Sequence, residues 1–288
     1  MHTRPTTPAA ERRPGPLIGP VTAPDLHVMT FNVRRRMNGL AWRRADRWRH
    51  REAAVRALLR MEQPTIVGAQ EVLPDQADAM RDALGARYRF IGRGHGPRGT
   101  GEGCPLFFDA ERLDLVEWEQ TALSEHSREP GSRSWGNLIP RIAVTALLRD
   151  RGTGLVFTAV NTHLDPFSPR SRIRSVEALL AMVDPGPAIL TGDLNAGEGS
   201  RTLRALLGGG SLRDAWTAAD ERVTASVGTF AGYRAPRPDR ARIDWIVVTP
   251  DVAVERAAIN AFRHEDVWPS DHLPVQAVVT VGPERTRP

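Results

Sequence analysis

The sequence predicts one α/β domain in which two mixed or largely antiparallel sheets pack face to face, with helices outside. Three observations carry this. Short β-rich runs outnumber helical stretches and are interleaved with them. No Pro-, Gly- or Ser-rich linker divides the middle of the chain. Polar residues of catalytic type recur just past the ends of apolar runs, as they do where strands deliver side chains to one edge of a sheet. The 288 residues suffice for a sizeable core, and the domain is expected over residues 25–282.

Each element follows from local pattern. "LHVMTFNV" (26–33) is β-rich with partial alternation and reads as a strand. "DRWRHREAAVRALLRM" (46–61) carries apolar residues at helical spacing, with Asp46 as its expected N-cap and Pro64 as its stop. "TIVGAQ" reads as a short buried strand, and "PDQADAMRDALG" as a helix with Pro at its start and Gly past its end. From Arg87 the pattern turns to β: "RYRFIG", "CPLFFD", "LDLVEWEQ", "RIAVTALLR" and "GLVFTAVNTH". The helix "PRSRIRSVEALLAMV", the strand "AILTGDL" and a short helix near 200–207 follow. "RIDWIVV", "AVERAAINAF" and "LPVQAVVTV" complete the strands.

Composition bounds the function. Net charge is +5 and all 39 basic side chains are Arg, scattered rather than clustered. Nucleic acid is therefore a partner to test rather than one that charge establishes. A single cysteine, Cys104, excludes an intrachain disulfide and fits a reducing, cytoplasmic setting. Cys104 opens the apolar run "CPLFF" and reads as strand core, not as a nucleophile. No run is apolar enough to span a membrane. Residues 1–24, rich in Pro, Thr, Ala and Arg, read as a disordered tail, and 283–288 as a second, frayed one. A monomer is expected.

The strand-end residues carry the chemistry. Asn32 ends "VMTFN", and Glu71 ends "TIVGAQE". His163 and Asp165 end "FTAVNTHLD"; Asp193 and Asn195 end "AILTGDLN". Asp244 stands among apolar residues in "RIDWIVV", and Asp271 and His272 precede the last strand in "PSDHLPV". Each has a structural reading alone, as an Asx turn, a helix start or a satisfied core histidine. Together they form a set that phosphate-ester cleavage needs: a ligand for a divalent cation, a positioned water and charge stabilisation. Glu71 suits Mg²⁺, which prefers oxygen and keeps waters. One Cys and no tight His pair argue against zinc. Asp244 suits the orientation of His272, and Asp193 with Asn195 suits the holding of a water.

"MTFNV", "QEV", "NTHLD", "TGDLNA", "RIDWIVV" and "SDHLPV" occur in the order found in the endonuclease/exonuclease/phosphatase (DNase I-like) superfamily, which the chain resembles from about Leu26 to Val281. The resemblance implies a four-layer αββα sandwich and a phosphodiesterase or phosphatase using Mg²⁺ or Mn²⁺ and an activated water. It implies metal-site roles for Asn32, Glu71 and Asp271. It implies contact of His163 with the scissile phosphate, water orientation by Asp193 and Asn195, and support of His272 by Asp244. Asp193 and His272 are alternative general bases. Segments such as "GRGHGPRGTGEGCPLFFD" and "GSRSWGNLIPRIA" resemble the bacterial metal-dependent hydrolase branch. There, Trp135, Asn137, Arg141 and Asp165 are substrate-contact candidates, and the glycine-rich stretch 92–103 is a candidate substrate loop. The substrate is a phosphate ester; a sequence-independent nuclease is the alternative, and a non-catalytic binding protein the remaining one.

Overall fold

The computed structural model describes residues 15–37, 43–183 and 186–282. Of the two expected tails, 1–14 and 283–288 lie outside the described residues. The strands are β1 (Asp25–Asn32), β2 (Ile66–Gln70), β3 (Tyr88–Ile91), β4 (Leu106–Asp109), β5 (Leu113–Ala122), β6 (Ile142–Asp150) and β7 (Val156–His163). They continue with β8 (Ala188–Asp193), the two-residue β9 (Arg213–Asp214) and β10 (Glu221–Arg222), β11 (Asp244–Val248), β12 (Val252–Ile259) and β13 (Val275–Val281). The helices are α1 (Trp48–Glu62), α2 (Pro74–Leu84), α3 (Pro169–Met182), α4 (Arg201–Leu207) and α5 (Ala215–Ala218).

One sheet has the order β10-β12-β13-β1-β2-β4-β3 and the other β5-β6-β7-β8-β11-β9. Strand alternation sorts the side chains into layers. Leu26 and Val28 of β1 join Ile66, Ala159, Ile189 and Ile246 in the core between the sheets. Met29 and Phe31, one residue out of phase, pack under α1 and α2 with Leu58 and Met80. Val160, Leu190 and Trp245 do the same under α3 and α4 with Leu179 and Leu203. The result is the four-layer αββα sandwich that the sequence implies.

Two local readings need correction. Asp46 is not the N-cap of α1: Arg47 holds that position without a side-chain cap, and Asp46 sits in a preceding 3₁₀ turn. Its carboxylate instead accepts from Arg34 Nε at 3.2 Å and from the Tyr233 hydroxyl at 3.0 Å. Residues 15–24 are not a loose tail either. The backbone N–H groups of Leu17, Ile18 and Gly19 donate to the buried Glu62 carboxylate at 2.8–3.1 Å. Composition hides this, because the partner is a single acid at the end of α1.

Candidate active site

Five strands converge on the site. β1 and β2 run parallel in one sheet, and β7 and β8 run parallel in the other. The carboxyl ends of these four bring up Asn32, Glu71, His163 and Asp193. β11 runs antiparallel to β8 and begins there, so Asp244 pairs directly with Asp193, while His163 is the register partner of Asp193 on the other side. Glu71 leaves β2 in the left-handed region, with φ 59°. That reversal follows the strand at once and directs the chain into the "EVLP" turn before α2.

The side chains form one connected network. Asn32 Nδ2 donates to Glu71 Oε1 at 3.1 Å and to Asp193 Oδ2 at 3.0 Å, linking the two sheets. Asp193 Oδ1 accepts from the Asn195 backbone N–H at 2.9 Å. The Asn195 amide lies 3.0 Å from His163 Nε2 and donates to the Leu164 carbonyl at 3.0 Å. His272 Nδ1 is 2.9 Å from Asp244 Oδ2, and its Nε2 is 3.7 Å from Asp193 Oδ2. Ser270 holds the last turn by donating to the Asn32 carbonyl at 2.7 Å.

Electrostatics separates the two imidazoles. Burial would lower His272, but the charges of Asp244 and Asp193 and the hydrogen bond to Asp244 outweigh it, and His272 rises to about 10. Burial also lowers His163, helped by Arg141 and opposed by Asp193, and here burial wins: it falls to about 4. At neutral pH one ring is therefore cationic and the other neutral. Burial works against the charge of Glu71. His163, the Arg34 guanidinium and the Asn32 amide outweigh it and hold Glu71 down to about 2. Asp193 is pushed upward by burial and by the neighbouring Asp244.

These groups open into a cleft of about 480 Å³ whose lining includes Glu71, Arg141, His163, Asp193, Asn195 and His272. Asp271 lines it too, with its carboxylate 3.6 Å from Arg34 Nε. Arg141 is buried, and its only carboxylate neighbour at ion-pair distance among the described residues is Asp165, at 3.9 Å.

The remaining sequence candidates lie apart. The Asp165 carboxylate accepts from the N–H groups of Phe167 and Ser168 at 2.8 and 2.6 Å, so it shapes the β7–α3 turn behind Arg141. Trp135 and Asn137 do not line the cleft. The Trp135 indole donates to Glu125 at 3.1 Å, and its carbonyl accepts from the Ser168 hydroxyl at 2.9 Å. Asn137 is buried with neither side-chain polar atom paired within the protein. Their loop folds back on itself, through Ser124 and Ser132 at 2.6 Å among other contacts.

Sequence reasoning missed Arg34, Arg35, Arg43 and Glu102, all of which line the cleft. The run "NVRRR" beside Asn32 was a usable signal for Arg34 and Arg35, but not for Arg43. Glu102 had none beyond its place in the glycine-rich stretch. That stretch is a tight hairpin: His95 N–H donates to the Glu102 carbonyl at 2.9 Å, and Gly96 N–H to the Thr100 carbonyl at 2.8 Å. A Cβ on Gly96 would lie 2.6 Å from Thr100 Oγ1, so glycine is needed for the hairpin to close.

A two-sheet αββα sandwich with acids, amides and histidines at the shared strand ends defines the DNase I-like class. The model of the endonuclease/exonuclease/phosphatase family matches residues 29–272, and the chain belongs to that family. It is accordingly a hydrolase of phosphoesters. An endonuclease/exonuclease/phosphatase from Bacteroides vulgatus has 30% identity and a TM-score of 0.83, covering 89% of this chain and 99% of that one. A family member from Bacteroides thetaiotaomicron has 28% identity and a TM-score of 0.84, with 92% and 98% covered. A mannosyl-6-phosphatase from the same species has 29% identity and a TM-score of 0.81, with 88% and 99% covered. No curated protein matches the chain at a significant level. No helix among the described residues is long and apolar enough to cross a membrane.

Proposed function

We propose that the protein is a divalent-metal-dependent phosphatase that hydrolyses a phosphomonoester with an activated water. One observation carries the reading: the His272 ring, held by Asp244 at 2.9 Å, faces Asp193 across 3.7 Å in a cleft that Glu71 also lines. A charged acid group and a carboxylate that burial makes more basic are a matched pair for proton transfer and charge stabilisation. The mannosyl-6-phosphatase at 29% identity supports a monoester over a diester.

The donor chemistry fits a hard cation. Glu71, Asn32 and Asp271 offer oxygens around the Arg34 guanidinium, itself 3.6 Å from both carboxylates. A second group, Asp193, Asp244 and His272, also brings ligand atoms within 4.8 Å of one another. In that group His272 Nδ1 is held by Asp244, and an imidazole nitrogen is mixed with the two carboxylates. The first group is all oxygen, as Mg²⁺ or Mn²⁺ prefers. When bound, the ion would neutralise phosphate charge and polarise the bond to be cleaved.

The protein's own groups do the rest. Asp193 Oδ2 takes the proton of the attacking water, which the Asn195 amide orients. Neutral His163 and the Arg141 guanidinium bind phosphate oxygens. Protonated His272, fixed by Asp244, stabilises the charge that builds in the transition state.

The test is hydrolysis of mannose 6-phosphate and p-nitrophenyl phosphate, with Mg²⁺, Mn²⁺ or EDTA, beside bis-p-nitrophenyl phosphate and DNA. Monoester turnover that requires metal and is lost in Asp193→Asn is expected. Preferential DNA cleavage that falls steeply with salt would favour the nuclease reading instead.

A further inference from the structure

Glu102 lines the cleft, yet the proposed chemistry does not use it. It is only 9% exposed, and its Oε2 is enclosed without a hydrogen-bond partner within the protein. Two basic side chains stand off at longer range: Arg35 Nε is 3.5 Å from Oε2, and His95 Nε2 is 3.8 Å from Oε1. Burial, helped by Arg141, lowers His95 to about 4, so at neutral pH that ring adds no charge. The Arg35 side chain is 48% exposed, and solvent weakens its pull. A buried carboxylate so poorly partnered costs free energy.

The backbone nevertheless builds this carboxylate into place beside a second one. Val72 N–H donates to the Gly103 carbonyl at 3.1 Å, and Gly103 N–H donates back to the Val72 carbonyl at 2.8 Å. Glu71 precedes one of these residues and Glu102 the other. Arg35 spans the two acids: its backbone N–H donates to Glu71 Oε2 at 3.2 Å while its guanidinium lies against Glu102. The closeness shows in charge as well, since burial and then Glu71 raise the Glu102 pKa. Glycine is needed at 103, where a Cβ would lie 2.6 Å from the Arg93 carbonyl oxygen. Both acids also line a small cavity of about 10 Å³, together with Arg141 and His163. That is room for about one water.

Two buried acids side by side are unfavourable until a cation joins them. Mg²⁺ and Mn²⁺ held by one or two carboxylates keep several waters, and those waters need acceptors. Resting on the metal reading above, we propose that Glu102 is a positioning residue for the cation at Glu71, accepting a hydrogen bond from a water that the ion keeps. Its unpartnered oxygen, its place beside Glu71 and a cavity of one water's size then have a single explanation. The glycine-rich hairpin serves the metal by delivering this one acceptor.

The experiment is calorimetric titration of the full chain with Mn²⁺, and with Mg²⁺, in the absence of substrate, beside thermal melting in EDTA. Glu102→Gln keeps the shape and removes the charge. It should weaken Mn²⁺ binding about 10–100-fold, while melting in EDTA stays equal or rises, because a poorly partnered buried charge is gone. Glu102→Asp keeps the charge but withdraws it by one methylene, and should weaken binding in the same range. Arg35→Ala leaves the backbone donor to Glu71 and removes a competing cation, so Mn²⁺ affinity should hold or rise.

Full affinity in Glu102→Gln, with loss in Glu71→Gln, overturns this proposal and leaves the metal reading intact. A lower melting temperature in EDTA with unchanged affinity does the same, and makes Glu102 a structural partner of Arg35. Wild-type affinity in Glu102→Asp would show that charge alone suffices, which removes the hydrogen bond. A fall in affinity in Arg35→Ala also overturns the assignment, and tests it without altering Glu102. If the wild type binds neither ion, the metal reading itself fails, and this proposal with it.

Discussion

Replacing Asp244 by Asn is the sharpest perturbation of the proposed chemistry. It removes a charge and keeps the shape, and Asn Oδ1 can still accept from His272 Nδ1. In the native protein His272 stands at about 10 against an ordinary 6.5. That gap corresponds to ~5 kcal/mol, at about 1.4 kcal/mol per pKa unit, shared between Asp244 and Asp193 as an upper bound. Because the folded value lies above the unfolded one, this stabilisation is complete below about pH 6.5. It is lost as pH rises through about 10. Asp244→Asn should lower the His272 pKa by about 1–3 units and reduce stability most at or below neutral pH, so wild-type and variant melting curves converge toward pH 10. It also removes the like charge beside Asp193, so the Asp193 pKa should fall as well. The proposed base weakens and the His272 cation loses the charge that fixes it, and turnover should fall while Mn²⁺ binding through Glu71 holds. The assay is NMR titration of the His272 Cε1–H signal, with urea unfolding from pH 6 to 10. A wild-type His272 that titrates near 6.5, or a stability difference that does not depend on pH, would refute the reasoning.

Three further outcomes are expected. Glu71→Gln should weaken Mn²⁺ binding by calorimetry by more than the ~10–100-fold that losing an outer partner costs, with melting little changed; full binding would remove Glu71 from the metal site. Deleting residues 1–14 should leave the urea midpoint unchanged, whereas deleting 1–19 should cost ~1–3 kcal/mol, because Glu62 loses three N–H donors and keeps Asn260 at 3.0 Å. Gly68→Ala should cost ~1–3 kcal/mol by overpacking, since a Cβ there would collide with Thr191 Oγ1 and lie 2.7 Å from Asn161 Oδ1; partial recovery in Gly68→Ala/Thr191→Ala is the check.

What the sequence revealed and what it hid divide along one physical line. Asn32, His163, Asp193 and Asp244 were legible because strand period and strand end are local properties, and each sits at the close or start of an apolar run. The pairing of Asp244 with His272 followed from residue type and the order of the strands. The role of Arg34 was not legible. It depends on Asp46, Glu71 and Asp271 meeting one guanidinium from three distant parts of the chain. Trp135 and Asn137 were placed at the substrate because their segment resembled a known one. Neither lines the cleft, and their loop is held by Ser124, Ser132 and Ser168. Glu62 looked like an ordinary helical residue until three backbone donors from residues 17–19 closed on it.

The site is also a continuation of the core by the same strand period. On the face of β1 turned toward the other sheet, the residues run Leu26, Val28, Thr30, Asn32; on β8 they run Ile189, Thr191, Asp193; on β7, Phe157, Ala159, Asn161, His163. Apolar gives way to hydroxyl or amide, and then to acid, amide or imidazole, in steps of two residues. The middle step is a polar seam. Gln70 Nε2 donates to Asn161 Oδ1 at 2.7 Å and to Thr30 Oγ1 at 3.1 Å, and Thr191 Oγ1 donates to Asn161 Oδ1 at 3.1 Å. A seam of apolar side chains would let the sheets slide with little penalty. Hydrogen bonds between buried amides and hydroxyls hold one register, because a slip leaves them unpaired. Asn32 and Glu71 come from one sheet, and Asp193, His163 and Asp244 from the other. The seam directly beneath them is therefore what keeps two half-sites aligned as one, and Gly68 is the residue whose missing side chain lets the sheets approach closely enough to form it.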